Sequence, residues 1–248
     1  MSPPLSPEES LRYHRQMILP QIGGKGQKVL QRSRVFLAGL GGLGSISAYY
    51  LAAAGIGRLR AVDEDRVDLG NLNRQLLHFT KDIGKKKTES AKEKLENLNP
   101  HCRVEAICET IREENGDRLV GDAHLIVDGT DNLKTRKILN RISIKKEIPF
   151  IFGGVDGLTG MTSTFIPGKT PCFECLFPKG TPDKGPPGVL GPLPGMIGAL
   201  QALSAINFLL GIKRGLLAGR MLYIDGATMN IRTIKMGKNE RCRVCGVG

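Results

Sequence analysis

The chain has 248 residues, 40% of them hydrophobic and 24% charged, with a formal net charge of +12 and a pI near 9.6. That length can bury a sizeable core, and no apolar run approaches a membrane span or secretory signal, so we expect a cytoplasmic protein. The positive charge favours nucleotides and acidic protein surfaces, whereas the absence of Trp and the 5% aromatic content argue against a single-strand nucleic-acid platform.

The first predicted element is a helix near the N-terminus. Ser6 is its expected cap, Pro7 occupies the first helical position and Glu9 completes a capping box. The pattern continues as a helix over 11–18, and we treat residues 1–30 as an N-terminal helical arm.

Strands and helices alternate through residues 31–150, which we interpret as the nucleotide-binding half. Short apolar runs predict strands over 34–38, 58–63, 103–107 and 124–128. Apolar residues at helical spacing predict helices over 45–54, 88–98 and 132–146. This alternation predicts βαβ units with a parallel sheet and right-handed crossovers.

A glycine-rich loop follows the first of these strands. Gly39, Gly41 and Gly44 occupy the three positions of G-x-G-x-x-G, and Asp63 ends the next strand. Glycines allow a tight turn and close backbone approach to phosphate, and the acid can bind ribose hydroxyls. The loop predicts a bound nucleotide but does not distinguish NAD from ATP.

The pattern changes after residue 150, where short strands and one apolar helix replace the alternation. We predict strands over 150–152, 161–166, 221–224 and 231–236, and a helix over 197–210. The segment 178–195 is rich in Pro, Gly and Lys, so it predicts a long surface crossover loop. We expect residues 151–248 to depend on the first half, which makes the chain one integrated domain.

Two C-x-x-C pairs lie far apart in the second half, Cys172–Cys175 and Cys242–Cys245. Thiols in a cytosolic protein stay reduced, so such pairs indicate metal or redox chemistry. Four thiolates at this spacing favour a closed structural zinc site, and a redox dithiol is the alternative.

Polar residues beyond the strand ends bear on which nucleotide is bound. A triphosphate undergoing substitution needs several cations and a carboxylate to hold Mg²⁺. Arg74, Lys87 and Asp131 lie at the edge where open α/β sheets bind ligands, although each is also compatible with ordinary surface charge.

Eight short motifs together indicate a family. In chain order they are Arg12-Tyr13-x-Arg15-Gln16, Gly39-x-Gly41-Gly42-x-Gly44, Asp63-x-Asp65, Asn71-Leu72-x-Arg74-Gln75, Gly84-x-x-Lys87, Asp128-x-Thr130-Asp131-Asn132, Pro171-Cys172-x-x-Cys175 and Cys242-x-x-Cys245. With these motifs the chain resembles, from Arg12 to Gly246, the MoeB/ThiF/HesA family of adenylating enzymes related to ubiquitin-activating enzymes.

The resemblance implies one adenylation domain over 1–248. Its fold would be α/β, with a Rossmann-like ATP-binding half whose mostly parallel sheet continues into a strand-rich, zinc-clamped partner-binding half. The implied reaction is ATP- and Mg²⁺-dependent adenylation of the C-terminal glycine of a small ubiquitin-fold sulfur carrier ending in Gly-Gly. The carrier could serve molybdopterin, thiamin or another sulfur-containing metabolite.

The resemblance also implies a role for each site residue. Asp63 would hold the ribose, Asp131 would bind magnesium, and Arg15 would reach the neighbouring subunit's site in a homodimer. The residues that would handle the phosphates are Asn71, Arg74 and Lys87. The other implied nucleotide contacts are Gly39, Gly41, Gly42, Gly44, Asp65, Gln75, Asp128 and Asn132.

One departure from the family concerns covalent chemistry. Many relatives carry a cysteine in the crossover loop, whereas residues 180–190 contain none. We expect Cys102 and Cys108 to be inert thiols, so a separate sulfur donor protein would act after adenylation.

Three alternatives stay open at this point. A tRNA-modifying adenylating dehydratase would be consistent with the positive charge. An NAD-dependent oxidoreductase would be consistent with the glycine loop taken alone. A non-catalytic dimeric scaffold would require neither the charge nor the loop. The four histidines show no ligand spacing and are predicted to be surface or loop residues: His14, His78, His101 and His124.

Overall fold

The computed structural model describes residues 5–178 and 188–246. Within them the α-helices are α1 (Pro7–Arg12), α2 (His14–Met17), α3 (Gly23–Arg32), α4 (Gly42–Ala53), α5 (Lys87–Leu98), α6 (Glu113–Val120), α7 (Leu133–Lys146), α8 (Phe173–Leu176) and α9 (Pro192–Leu209). The strands are β1 (Arg34–Ala38), β2 (Arg58–Val62), β3 (Arg103–Ile107), β4 (Leu125–Asp128), β5 (Phe150–Asp156), β6 (Thr159–Phe165), β7 (Arg220–Asp225) and β8 (Asn230–Lys235). Short 3-10 helices cover Leu69–Asn71 and Thr80–Asp82.

The described strands form one sheet in the order β3-β2-β1-β4-β5-β6-β7-β8. The neighbours from β3 to β5 pair in parallel, and those from β5 to β8 pair antiparallel. The predicted α/β class, with a parallel half that continues into a strand-rich half, is therefore confirmed.

The order of the parallel strands fixes where a ligand can bind. The chain runs from β1 to β2 and β3 on one side, and then returns to β4 on the other side of β1. At such a reversal the loops after the two central strands separate and leave a crevice at their carboxyl ends. The crevice here lies between the loops that follow β1 and β4.

Apolar residues fill both faces of the sheet. On one face, Leu37 packs in a cluster with residues of α4, α5 and α9, among them Leu51 and Ala205. On the other face, Phe36 packs in a cluster with residues of α6 and α7, among them Leu139. Successive strand residues point to opposite faces, so the continuous apolar run of β1 is buried on both sides.

The N-terminal arm differs from its prediction. The helix predicted over 11–18 is interrupted at Tyr13, which is 1% exposed and accepts a hydrogen bond from Asn99 Nδ2 at 2.9 Å. The side chain of Gln16 donates to the carbonyl of Ala54 at 2.9 Å. These contacts fix α2 against the turn after α4. Helix α3 was not predicted, because its three glycines are typical of turns.

In the second half two predictions are corrected, and both concern α9. Residues 179–187 of the predicted crossover loop lie outside the described residues, and α9 begins at Pro192 rather than at 197, with proline in the first turn where its missing N–H has no cost. By length and composition α9 could also cross a membrane, contrary to our expectation, but it packs on α4, β5 and β6. It is the central helix of the core.

Candidate functional site

The loop after β1 is shaped by glycines that no other residue could replace. Gly39 has a φ of +85°, and a Cβ there would lie 2.6 Å from the carbonyl oxygen of Gly129, in the loop after β4. A Cβ on Gly44, in the first turn of α4, would lie 1.9 Å from the Gly39 carbonyl oxygen. The two loops and the start of α4 therefore touch through backbone atoms alone.

A cavity of about 390 Å³ opens at this crevice. The predicted site residues that line it are Gly39, Gly41, Gly42, Asp63, Asp65, Arg74, Gln75, Lys87, Asp131 and Asn132. The structure thus brings together residues from five separate segments of the chain. The volume of the cavity lies in the range of small-molecule binding sites.

Asp63 is fixed by backbone donors at the end of β2. The N–H of Leu40 donates to its Oδ2 at 2.7 Å, and the N–H of Asp65 donates to its Oδ1 at 2.8 Å. Burial raises the pKa of Asp63, against the opposing charge of Lys87. Each carboxylate oxygen keeps a second lone pair, so ribose hydroxyls could still donate to it.

Two cations belong to the cavity wall. Lys87 is 4% exposed and its Nζ lies 2.8 Å from Oδ2 of Asp65. Arg74 donates to the carbonyl of Gly70 at 2.8 Å and to Oδ1 of Asn73 at 2.9 Å. These contacts fix the orientation of both side chains.

The loop after β4 is held by a buried ion pair. Asp128 is fully buried, accepts from Nε of Arg136 at 3.0 Å, and accepts from the N–H and hydroxyl of Thr130 at 3.0 and 2.6 Å. Burial raises the pKa of Asp128, and the guanidinium of Arg136 opposes that shift. Beyond this pair, Asp131 is exposed and makes no ion pair with any residue in 5–178 or 188–246.

Four predicted residues do not line the cavity. Asp128 acts on it through Thr130 and Arg136, and Asn71 accepts from the N–H of Asp68 within a turn. Gly44 packs beneath the loop, and Arg15 is exposed on α2.

Sequence reasoning missed several lining residues. Arg136 occupies the cavity wall one helical turn after Asn132, whose side chain caps α7. The cap followed by an arginine four residues later is the signal that could have identified it. Ile111, Val155, Val189 and Pro194 also line the cavity. No local motif marks them, because distant segments bring them there.

The charges on the cavity wall are unbalanced. The acidic lining residues are Asp63, Glu64, Asp65, Glu109 and Asp131, and the basic ones are Arg74, Lys87 and Arg136. The five acids outnumber the three bases by two. A polyanionic nucleotide would therefore need positive charge in addition to that of the side chains lining the cavity.

The four predicted cysteines meet at the far end of the second half. Their Sγ atoms all lie within 4.8 Å of one another, and Cys172 Sγ lies 3.9 Å from Cys175 Sγ and 3.7 Å from Cys242 Sγ. The Cys175 and Cys245 sulfurs are 3.3 Å apart. Tetrahedral zinc with Zn–S bonds of about 2.3 Å separates its sulfurs by roughly 3.8 Å, so the cluster has the size of a Cys₄ zinc site.

Comparisons with known proteins agree with this architecture. A family model described as the ThiF family matches residues 13–244. The chain is 41% identical to a sulfur carrier protein adenylyltransferase of Thermus thermophilus, with 96% of this chain and 92% of that protein covered. It is 39% identical to a SAMP-activating enzyme E1 of Haloferax volcanii, with 96% and 89% covered.

Solved structures extend the likeness to a nucleotide complex. The crystal structure of E. coli MccB with ATP superposes with a TM-score of 0.83 at 26% identity, covering 95% of this chain and 73% of that one.

Proposed function

The chain belongs to the ThiF family, and we propose that it transfers AMP from ATP to the C-terminal glycine carboxylate of a small ubiquitin-fold sulfur carrier protein. The products are the carrier acyl-adenylate and pyrophosphate. The observation that carries the proposal is one cavity lined by the glycine loop, Asp63, Arg74, Lys87 and Asp131. The similarity to carrier-activating enzymes at about 40% identity favours this function over the dehydratase, the oxidoreductase and the scaffold.

The reaction requires that the reacting groups be positioned and that the charge on the phosphate oxygens be neutralised. A carboxylate is already anionic at pH 7 and needs no general base to attack the α-phosphorus. Arg74 and Lys87 neutralise charge that develops on the phosphate oxygens and on the leaving pyrophosphate. Asp65 holds Lys87 in the direction of the cavity, because their side-chain atoms lie 2.8 Å apart.

The excess of acidic lining residues supports two further components. Asp131, exposed and without a cationic partner among the described residues, would hold Mg²⁺, which neutralises phosphate charge when bound. The second is a cation from a neighbouring subunit. Tyr13 and Gln16 fix α2 to the core, so Arg15 between them points outward on a rigid element. A homodimer would bring that arginine to its partner's cavity.

The second half would receive the carrier. Val155, Val189 and Pro194 give the cavity an apolar side next to the phosphate-binding loop. A flexible tail of small residues could lie there with its carboxylate towards the phosphates. Segment 178–195 contains no cysteine, so sulfur would come from a separate donor protein.

The four clustered cysteines would hold a structural zinc ion. Zinc at this position would tie the segment after β8 to α8, because Cys242 and Cys245 lie beyond β8, while Cys172 is the N-cap of α8 and Cys175 lies within it. Its contribution would be to stability rather than to chemistry.

Carrier-dependent exchange of pyrophosphate into ATP tests the proposal. Lys87→Ala and Asp131→Ala should each lower the exchange rate by roughly 10²–10³, because each removes a group that neutralises the triphosphate. Lys86→Ala is the matched control, since Lys86 is partly exposed, pairs with Glu89 and does not line the cavity. Exchange at the wild-type rate in both cavity variants would refute the assignment.

A complementation experiment tests the cross-subunit role. Arg15→Ala and Lys87→Ala homodimers should both be inactive, whereas co-expressed chains form heterodimers with one intact site. Random assembly should restore about a quarter of the wild-type activity. If the mixture stays inactive although heterodimers form, Arg15 does not act in the partner's site.

A further inference from the structure

The sequence predicts that His78 is a surface or loop residue; it does lie in a loop, before the 3-10 helix Thr80–Asp82, but beneath the glycine loop rather than on the surface. Its side chain is buried, at 3% exposed, and its ring bridges two elements. Nε2 lies 3.1 Å from the carbonyl oxygen of Leu40, and Nδ1 lies 2.9 Å from Oγ of Ser90 in α5. The ring therefore connects α5 to the loop that lines the nucleotide cavity.

The hydrogen-bond network fixes the tautomer of this ring. Lys94 Nζ donates to Ser90 Oγ at 2.7 Å and also pairs with buried Asp82. A carbonyl oxygen can only accept, so the contact with Leu40 places the proton of the neutral ring on Nε2, and the Ser90 hydroxyl donates to the bare Nδ1. Nδ1 is then the acceptor, and Nε2 carries the proton that it donates to the Leu40 carbonyl.

The surroundings keep His78 neutral. Burial lowers the pKa of His78 to about 4, with Lys87 and Lys94 adding to the shift and Asp82 opposing it. The ring therefore keeps the Nε2–H tautomer at neutral pH.

The orientation of the Leu40–Gly41 peptide group links His78 to the cavity. The Leu40 carbonyl belongs to the same peptide as the Gly41 N–H, and a trans peptide directs the two bonds oppositely. His78 and the Ser45 hydroxyl, the latter at 3.1 Å, hold that carbonyl from the buried side. The Gly41 N–H must then point away from the core, on the side where Gly41 lines the cavity.

That N–H also lacks a partner among the residues that the structure describes. Across residues 5–178 and 188–246, no backbone or side-chain acceptor takes the Gly41 N–H, although Gly41 lies at the junction of the loop and α4. A donor that is directed into a cavity at a helix N-terminus is suited to a phosphate oxygen.

We propose that His78 is a positioning residue, which holds the Leu40–Gly41 peptide so that the Gly41 N–H donates to a phosphate of ATP. The inference rests on the proposed function, because it requires ATP as the ligand. It assigns a role to the Asp82–Lys94–Ser90–His78 network that the adenylation chemistry itself does not use.

Two substitutions separate positioning from packing. Gln at position 78 can place an amide donor near the position of Nε2, whereas the shorter Asn can accept from Ser90 but cannot reach the Leu40 carbonyl. His78→Asn should raise the Kd and KM for ATP about tenfold, the effect of one lost hydrogen bond, and leave the KM for the carrier unchanged. His78→Gln should stay within about twofold of wild type, although both variants lose some thermal stability.

The outcomes distinguish this inference from the proposed function. Equal weakening of ATP binding in both variants, or none in folded His78→Asn while wild type binds ATP, overturns only the role of His78. Failure of the wild type to bind ATP overturns both. Ring ¹⁵N chemical shifts of the wild type give a test without mutation: protonation at Nε2 alone is expected, and protonation at Nδ1 would contradict the network.

Discussion

Substitutions at two glycines of this region test folding and nucleotide binding separately. Gly44→Ala places a methyl group 1.9 Å from the Gly39 carbonyl oxygen and 2.8 Å from its carbon. Gly41→Ala places one no closer than 3.8 Å to any atom, between Gln75 and Gly129 on the cavity wall. The first substitution should damage the fold and the second should damage only the site.

The distances give the expected magnitudes. An ordinary carbon–oxygen contact is about 3.3 Å or more, so Gly44→Ala forces α4 and the loop apart by more than about 1 Å. Overpacking of that kind should cost at least about 3 kcal/mol and lower the Tm by about 6–12 °C in a chain of this size. Gly41 has a φ of −75°, which alanine can adopt, so its replacement should cost about 1 kcal/mol or less.

For ATP affinity we expect the larger effect from Gly41→Ala. A methyl group on Gly41 occupies the space that a phosphate needs to approach the backbone, and ATP affinity should fall roughly tenfold or more. Calorimetric titration with ATP and thermal unfolding measure the two quantities on the same samples. Gly24→Ala, in α3 with open space around its Cβ, is the control that should leave the ATP affinity unchanged and should not lower the Tm.

Two results would refute this reasoning. Wild-type ATP affinity in Gly41→Ala would show that no phosphate approaches that backbone. A Gly44→Ala protein with an unchanged Tm would show that the loop and α4 can separate without cost.

The remaining predictions concern stability. Cys242→Ser should remove bound zinc and lower the Tm, whereas Cys108→Ser, which alters an exposed thiol outside the cluster, should do neither; elemental analysis and thermal unfolding measure both. Because the folded-state pKa of His78 is about 4, below its ordinary 6.5, the unfolded chain gains a proton first as pH falls, and about 3 kcal/mol of stability should be lost between pH 6.5 and 4. Urea unfolding across that range should show the loss, and His78→Gln should suppress it. Arg136→Met should cost roughly 3–5 kcal/mol in urea unfolding, because the buried carboxylate of Asp128 loses its cationic partner; a cost below about 1 kcal/mol would contradict the buried pairing.

The polar residues show how much of the site sequence alone can predict. Lys87 and Asp131 are predictable because each follows a strand or begins a helix, and parallel strands bring those positions to one edge. Arg136 is marked only by its position four residues after the cap of α7, and Ile111 reaches the same cavity without any local pattern, because its placement depends on how the segment after β3 packs. His78 shows where the prediction fails: a histidine without ligand spacing is interpreted as a surface or loop residue, and it does lie in a loop, yet it is only 3% exposed.

The chain by itself determined the periodic elements, the glycine loop and the two cysteine pairs. Each of these is specified by residues close together in sequence, through backbone sterics, side-chain periodicity or ligand spacing. The folded chain alone reveals that the cysteine pairs meet, that the cavity wall carries more acids than bases, and that His78 lies beneath Leu40. Those facts depend on contacts between segments far apart in the chain, and the packing of the whole sheet and its helices sets such contacts.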